Sequence, residues 1–129
     1  MSGALFDDFL PRPSTRSESF APIPVCWPTL DDTEAQARLE ELADWLSWLI
    51  ERYTIDHRTI PPCWGRHGDL VEELSALRTG WLTAYAQDAR GDAPLHWHTD
   101  FATARQRLTD WAARTGCRPG EHRPGAAPH

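Results

Sequence analysis

Four residues of the kinds that hold a soft metal ion stand in two pairs, Cys63-x3-His67 and Cys117-x4-His122. Two thiolates and two imidazoles make a tetrahedral zinc set with no position left over for a substrate, so its use would be structural. The spacings are near those of zinc fingers without matching them, and 49 residues separate His67 from Cys117. Only the fold can bring the two pairs together. Two other chemistries stay open for the same residues. Cys63 can be a small apolar core residue beside a capping or solvent-facing His67, or Cys63 and Cys117 can serve a redox or disulfide role. Cys26 is a spare thiol with nothing beside it to make it reactive.

A second constellation, His96-Trp97-His98-Thr99-Asp100, spells His-x-His-x-Asp. Two-metal hydrolases carry such a run on a loop of a sheet-based sandwich. Here Phe101 stands where a further His is needed, and the surrounding pattern is helical. The simpler reading is a pair of solvent-facing histidines around a buried Trp97, with Thr99 or Asp100 as a helix N-cap. The chain holds no Gly-rich phosphate loop, Ser nucleophile elbow or paired catalytic carboxylates. Glu72-Glu73 reads as a solvated helix face. The expectation is therefore a non-enzymatic protein, with a metal-dependent hydrolase as the least favoured alternative.

Seven tryptophans in 129 residues is the most unusual feature of the composition. Trp45, Trp81, Trp97 and Trp111 fall on apolar helix faces and can serve a core. Trp48 points toward the polar side of its helix, while Trp27 and Trp64 lie in irregular segments. Partly exposed Trp beside Arg is the chemistry of binding hot spots, which nominates Trp48 and Trp64 for a protein partner. Arg105, Arg107 and Arg114 belong to a basic last third, where residues 102–129 carry five Arg against two acids. That face could meet an acidic partner or nucleic-acid phosphates, although a merely solvated face is the simpler reading. The net charge of −6 argues against a simple electrostatic nucleic-acid binder.

Three amphipathic helices must position these residues. The first is predicted over Leu30 to Tyr53, with Asp31, Asp32 and Thr33 as N-cap candidates and Thr33 with Gln36 as a capping box. Its stripe is Ala35, Leu39, Leu42, Leu46, Leu49 and Tyr53, flanked by Trp45. The second starts at Gly68 or Asp69, runs to Ala86, and buries Leu70, Leu74, Leu77, Trp81 and Tyr85. Gly80 inside it costs about 1 kcal/mol relative to Ala, which suggests a close neighbour or a weak last turn. The third begins at Trp97 or Thr99, buries Phe101, Ala104, Leu108, Trp111 and Ala112, and ends at Gly116 as a left-handed cap. The fold class is all-α, a small up-down-up three-helix bundle. That topology sets the start of the second helix beside the end of the third, so the two Cys/His pairs converge.

The domain is expected over residues 30–117. A disordered Pro-rich arm at 1–29 precedes it, with the islands Leu5–Leu10 and Phe20 to Trp27, and a short tail at 118–129 completes the chain. No stretch approaches the ~20 apolar residues of a membrane span, and no secretory signal is visible. The reading is a cytoplasmic protein with reduced cysteines.

The order Trp45-x2-Trp48, Cys63-Trp64-x2-His67 and Glu73-Leu74-Ser75-Ala76-Leu77-x3-Trp81 resembles an uncharacterised Trp-rich domain family of actinobacteria. The likeness covers about residues 40–120. Genes of that family occur on conjugative plasmids, integrative elements and phages. The resemblance implies an accessory protein of a mobile genetic element, in DNA transfer or its control.

Overall fold

A computed structural model describes residues 22–117 of the chain. The islands at Leu5–Leu10 and Phe20, and His122 with the rest of the tail, lie outside the described residues. Within them the protein is all-α, a small bundle of three helices: α1 (Asp32–Tyr53), α2 (Gly68–Ala84) and α3 (Ala93–Thr115). Two single 3-10 turns, Trp27–Thr29 and Trp64–Arg66, precede α1 and α2. No helix among the described residues is long and apolar enough to cross a membrane.

The start of α1 lies where the acids predict it, but the capping box sits two residues earlier than expected. Asp31 Oδ1 accepts the Glu34 backbone N–H at 2.8 Å, and Glu34 Oε1 accepts the Asp31 N–H at 3.0 Å. Asp-x-x-Glu reaches as well as Thr-x-x-Gln, and its charges also suit the positive end of the helix. At the other end Thr54 takes a left-handed conformation, φ 53°, where the backbone N–H groups of Thr54 and Ile55 both donate to Ile50 O. A β-branched residue there costs on the order of 1–2 kcal/mol, yet it turns the chain sharply out of the helix.

The connection from α1 to α2 is more than a hairpin turn. Tyr53 packs on Phe101 and Trp97, with ring centroids 5.0 and 6.2 Å apart. Thr59 Oγ1 lies 2.9 Å from Thr109 Oγ1, and Cys63 arrives beside Cys117. Residues 54–63 thus travel along α3 toward its C-terminal end and deliver the chain to the start of α2. Burial of Ile55, Ile60 and Pro61 fastens this segment down, although no periodicity in the sequence marks them as core.

Helices α2 and α3 are antiparallel neighbours, as the bundle requires. From one end to the other His67 meets Cys117, Glu73 pairs with Arg107, and Leu77 meets Trp97. The core between the helices holds Leu42, Trp45, Leu46, Leu49, Leu70, Leu74, Leu77, Trp81, Phe101, Ala104 and Leu108. Trp45, expected only to flank the stripe, is 1% exposed and lies 5.9 Å from Trp81. Their indole N–H groups have no hydrogen-bond acceptor among the described residues. Each such donor costs about 1–3 kcal/mol, set against the large apolar area a buried Trp contributes. Trp97 is better provided for: its Nε1–H donates to Leu77 O at 3.1 Å, across α2 and α3.

Two boundaries differ from expectation. Helix α2 stops at Ala84 rather than Ala86. Helix α3 begins at Ala93, with Pro94 in its first turn and Asp92 at the N-cap position, so Thr99 and Asp100 are helical residues and not caps. Proline's fixed φ and missing N–H suit a helix start, where the N–H would be unpaired anyway. The C-terminal end is as predicted, at Gly116 with φ 72°.

Candidate metal centre

Cys63 is the residue before the Trp64–Arg66 turn, and its carbonyl accepts the Arg66 N–H at 2.9 Å. One turn further on, His67 occupies the N-cap position of α2. It makes no side-chain capping bond, and its ring faces sulfur instead. Cys117 lies just past the Gly116 cap of α3, its N–H donating to Thr115 Oγ1 at 3.0 Å. The antiparallel packing of α2 on α3 therefore brings three ligand-type side chains to one end of the bundle. Cys63 Sγ lies 3.4 Å and Cys117 Sγ 3.5 Å from His67 Nε2, and all three atoms fall within 4.8 Å of one another.

The fit to a metal can be tested on these distances. Zinc bonds of about 2.3 Å to sulfur and about 2.0–2.1 Å to nitrogen, at a tetrahedral angle, put S and N roughly 3.6 Å apart. Both observed S···N separations come close to that edge. Hydrogen bonding among the three groups also suits the arrangement, since each sulfur is within reach of Nε2 and Cys63 bonds to Cys117. Burial, and then the adjacent Cys117, push the Cys63 thiol up from its ordinary pKa. A dication among the three atoms would reverse that preference, since a metal-bound thiol gives up its proton outright. Cys63, His67 and Cys117 thus lie close enough to hold a metal ion. Cys26 is exposed, and the three described cysteines form no disulfide.

Beside this cluster a shallow groove of about 300 Å³ runs between α1 and the 62–66 turn, lined by Leu39, Glu40, Ala43, Pro62, Trp64 and Arg66 among others. Trp64 is half-buried there and packs partly on the core. Trp48 is not the outward-facing residue that its place on the helical wheel suggests. It packs partly on the core, its ring 5.2 Å from Trp81, 6.4 Å from Trp45 and 6.2 Å from Tyr53. A wheel drawn for one helix ignores how far an indole reaches around the ridge toward a neighbouring helix. Trp27 likewise folds back against the core.

The three arginines do not make one surface. Arg107 is held by Glu73, Nη2 at 2.7 Å and Nε at 3.0 Å from the same carboxylate oxygen, and this hydrogen-bonded pairing raises the guanidinium pKa further. Glu73 is accordingly not a freely solvated face residue, as the sequence suggests, but the α2 side of an inter-helix ion pair. Arg105 lies over the Phe101 ring, 5.3 Å from its centroid, and Arg114 is exposed. Sequence reasoning also misses Arg78, half-buried near Glu41 and Arg38 of α1. Nothing in its spacing signals that.

His96, His98 and Asp100 are exposed on the first turns of α3 around Trp97, which is 3% exposed. At ~100° per residue His96 and Asp100 share a side and His98 faces away. His96 Nε2 lies 3.3 Å from Asp92 Oδ2, and the His98 ring edges Tyr53. Comparison with protein-family models, curated proteins and solved structures finds no match to this chain.

Proposed function

We propose that this protein is a non-enzymatic interaction module whose three-helix fold is stapled by structural zinc. The observation that carries the reading is the convergence of Cys63, His67 and Cys117 within 4.8 Å from two distant parts of the chain. On this reading His122, five residues beyond Cys117 in the sequence, would be the fourth ligand of a closed Cys2His2 set, which would leave the metal no catalytic position. A domain this small gains much from a staple, because its core alone is marginal.

The partner is a protein, and Trp64 is the candidate anchor, since it lines a groove with Leu39, Ala43 and Pro62. Trp48 contributes by stiffening the aromatic cluster beneath. A nucleic-acid partner on Arg105, Arg107 and Arg114 is less favoured, because Phe101 and Glu73 already engage two of the three. Reduced thiols suit a cytoplasmic setting. The resemblance to the Trp-rich actinobacterial family supports a role as an accessory of a mobile genetic element, in conjugation or phage biology.

Metal analysis of the purified full chain, with melts in the presence and absence of a zinc chelator, tests the staple. Stoichiometric zinc and a large chelator-induced drop in melting temperature are expected. A metal-free protein whose melt ignores the chelator would refute it.

A further inference from the structure

Two of the candidate ligand atoms are sulfurs, which gives the site a chemistry that imidazole and carboxylate ligands lack. Cys63 and Cys117 are both half-exposed, so a small oxidant can reach them. Their sulfurs lie within 4.8 Å of each other, and both approach the same imidazole nitrogen. A disulfide needs about 2.05 Å, so the gap to close is less than roughly 3 Å. Cys117 is placed to close it. It stands beyond the left-handed Gly116 cap, outside the helical ladder, and its N–H is held locally by the Thr115 hydroxyl. Cys26, the third thiol, is exposed at the 3-10 turn before α1 and is not part of the cluster.

We propose that Cys63 and Cys117 form a thiol–disulfide modification site, where peroxide converts the metal-binding pair into a disulfide and expels the zinc. The inference rests on the zinc staple proposed for the same residues. One zinc-bound thiolate attacks a peroxide oxygen; the O–O bond breaks, hydroxide leaves and a sulfenic acid forms. The second thiolate attacks that sulfur, the S–O bond breaks, a second hydroxide leaves and the S–S bond forms. The thiolates lose two electrons in all and the peroxide gains them, and the two hydroxides are neutralised by the buffer acid. Zinc thereby loses both anionic ligands, one at each step, and dissociates. The segments that the metal joined stay joined, now covalently.

The test uses the full chain carrying Cys26→Ser beside the parent protein. Zinc content is measured first; hydrogen peroxide is then titrated in while a chromophoric chelator reads released zinc. Intact mass and peptide mapping track the thiols. The expected result is zinc release in step with loss of the mass of two hydrogen atoms, a Cys63–Cys117 cross-linked peptide in both proteins, and zinc uptake restored by a phosphine reductant. Zinc retained under excess peroxide, release without the cross-link, or a cross-link to Cys26 would each overturn the inference and leave the staple standing. Absence of zinc before any peroxide is added would overturn the staple, and this inference with it.

Discussion

Gly80→Ala should stabilise the protein. Gly80 lies inside α2, where glycine costs about 0.8–1.0 kcal/mol relative to alanine because its unfolded backbone has more freedom to lose. Whether that cost is recoverable depends on what a methyl group would meet. Trp97 lies over the position, and an added Cβ would stand 3.5 Å from its Cδ1 and 3.7 Å from its Nε1. Those are ordinary van der Waals separations, so the methyl fills contact space without moving the indole or its bond to Leu77 O. With Gly80 only four residues from the helix end, a gain of about 0.5–1 kcal/mol is reasonable. For a domain of this size that raises the melting temperature by about 2–8 °C. The control is Gly116→Ala, where φ is 72° and the same methyl should destabilise by about 1–2 kcal/mol. Thermal melts by circular dichroism on both variants decide the matter. A lowered melting temperature for Gly80→Ala would show that the α2–α3 contact is tighter than its geometry says, and would refute the expected gain.

Trp97→Phe should cost about 2–3 kcal/mol in denaturant unfolding, from the lost bond to Leu77 O and the space left by the smaller ring; a change under half that would mean the indole N–H is immaterial. Asp92 is held below the ordinary carboxylate range by hydrogen bonds from Arg90 and His96. With the folded value depressed, its contribution is full above the ordinary carboxylate pKa and is lost as pH falls through the depressed one. NMR titration should place the Asp92 carboxyl below its ordinary value, and Asp92→Asn should flatten that part of the acid limb; an ordinary value would contradict the pairing.

The helices are legible in the sequence because apolar residues at 3.6-residue spacing leave few alternatives, and Gly116 is legible because little else caps a helix so cheaply. The meeting of Cys63, His67 and Cys117 is legible for a topological reason: antiparallel helices place one's start beside the other's end. The remainder depends on interactions between helices. Asp31 and Thr33 both offer a cap, and charge favours the earlier one. Pro94 suits a polar turn as well as the first turn of a helix, and its neighbours in sequence allow either. Ile55 and Ile60 obey no period, and only the packing of the connection onto the core gives them burial. Trp48 needs Trp81 of another helix to explain it.

The clasp at the end of the bundle spans fifty positions of sequence between His67 and Cys117. On a ribosome adding about 5–20 residues per second, the first half of the site waits roughly 3–10 s for the second. During that interval Cys63 and His67 have emerged without their distant counterpart, open to the wrong thiol or to a passing ion. For the proposed staple, the order of synthesis would let a metal ion meet both thiols and the imidazole together only after Cys117 emerges.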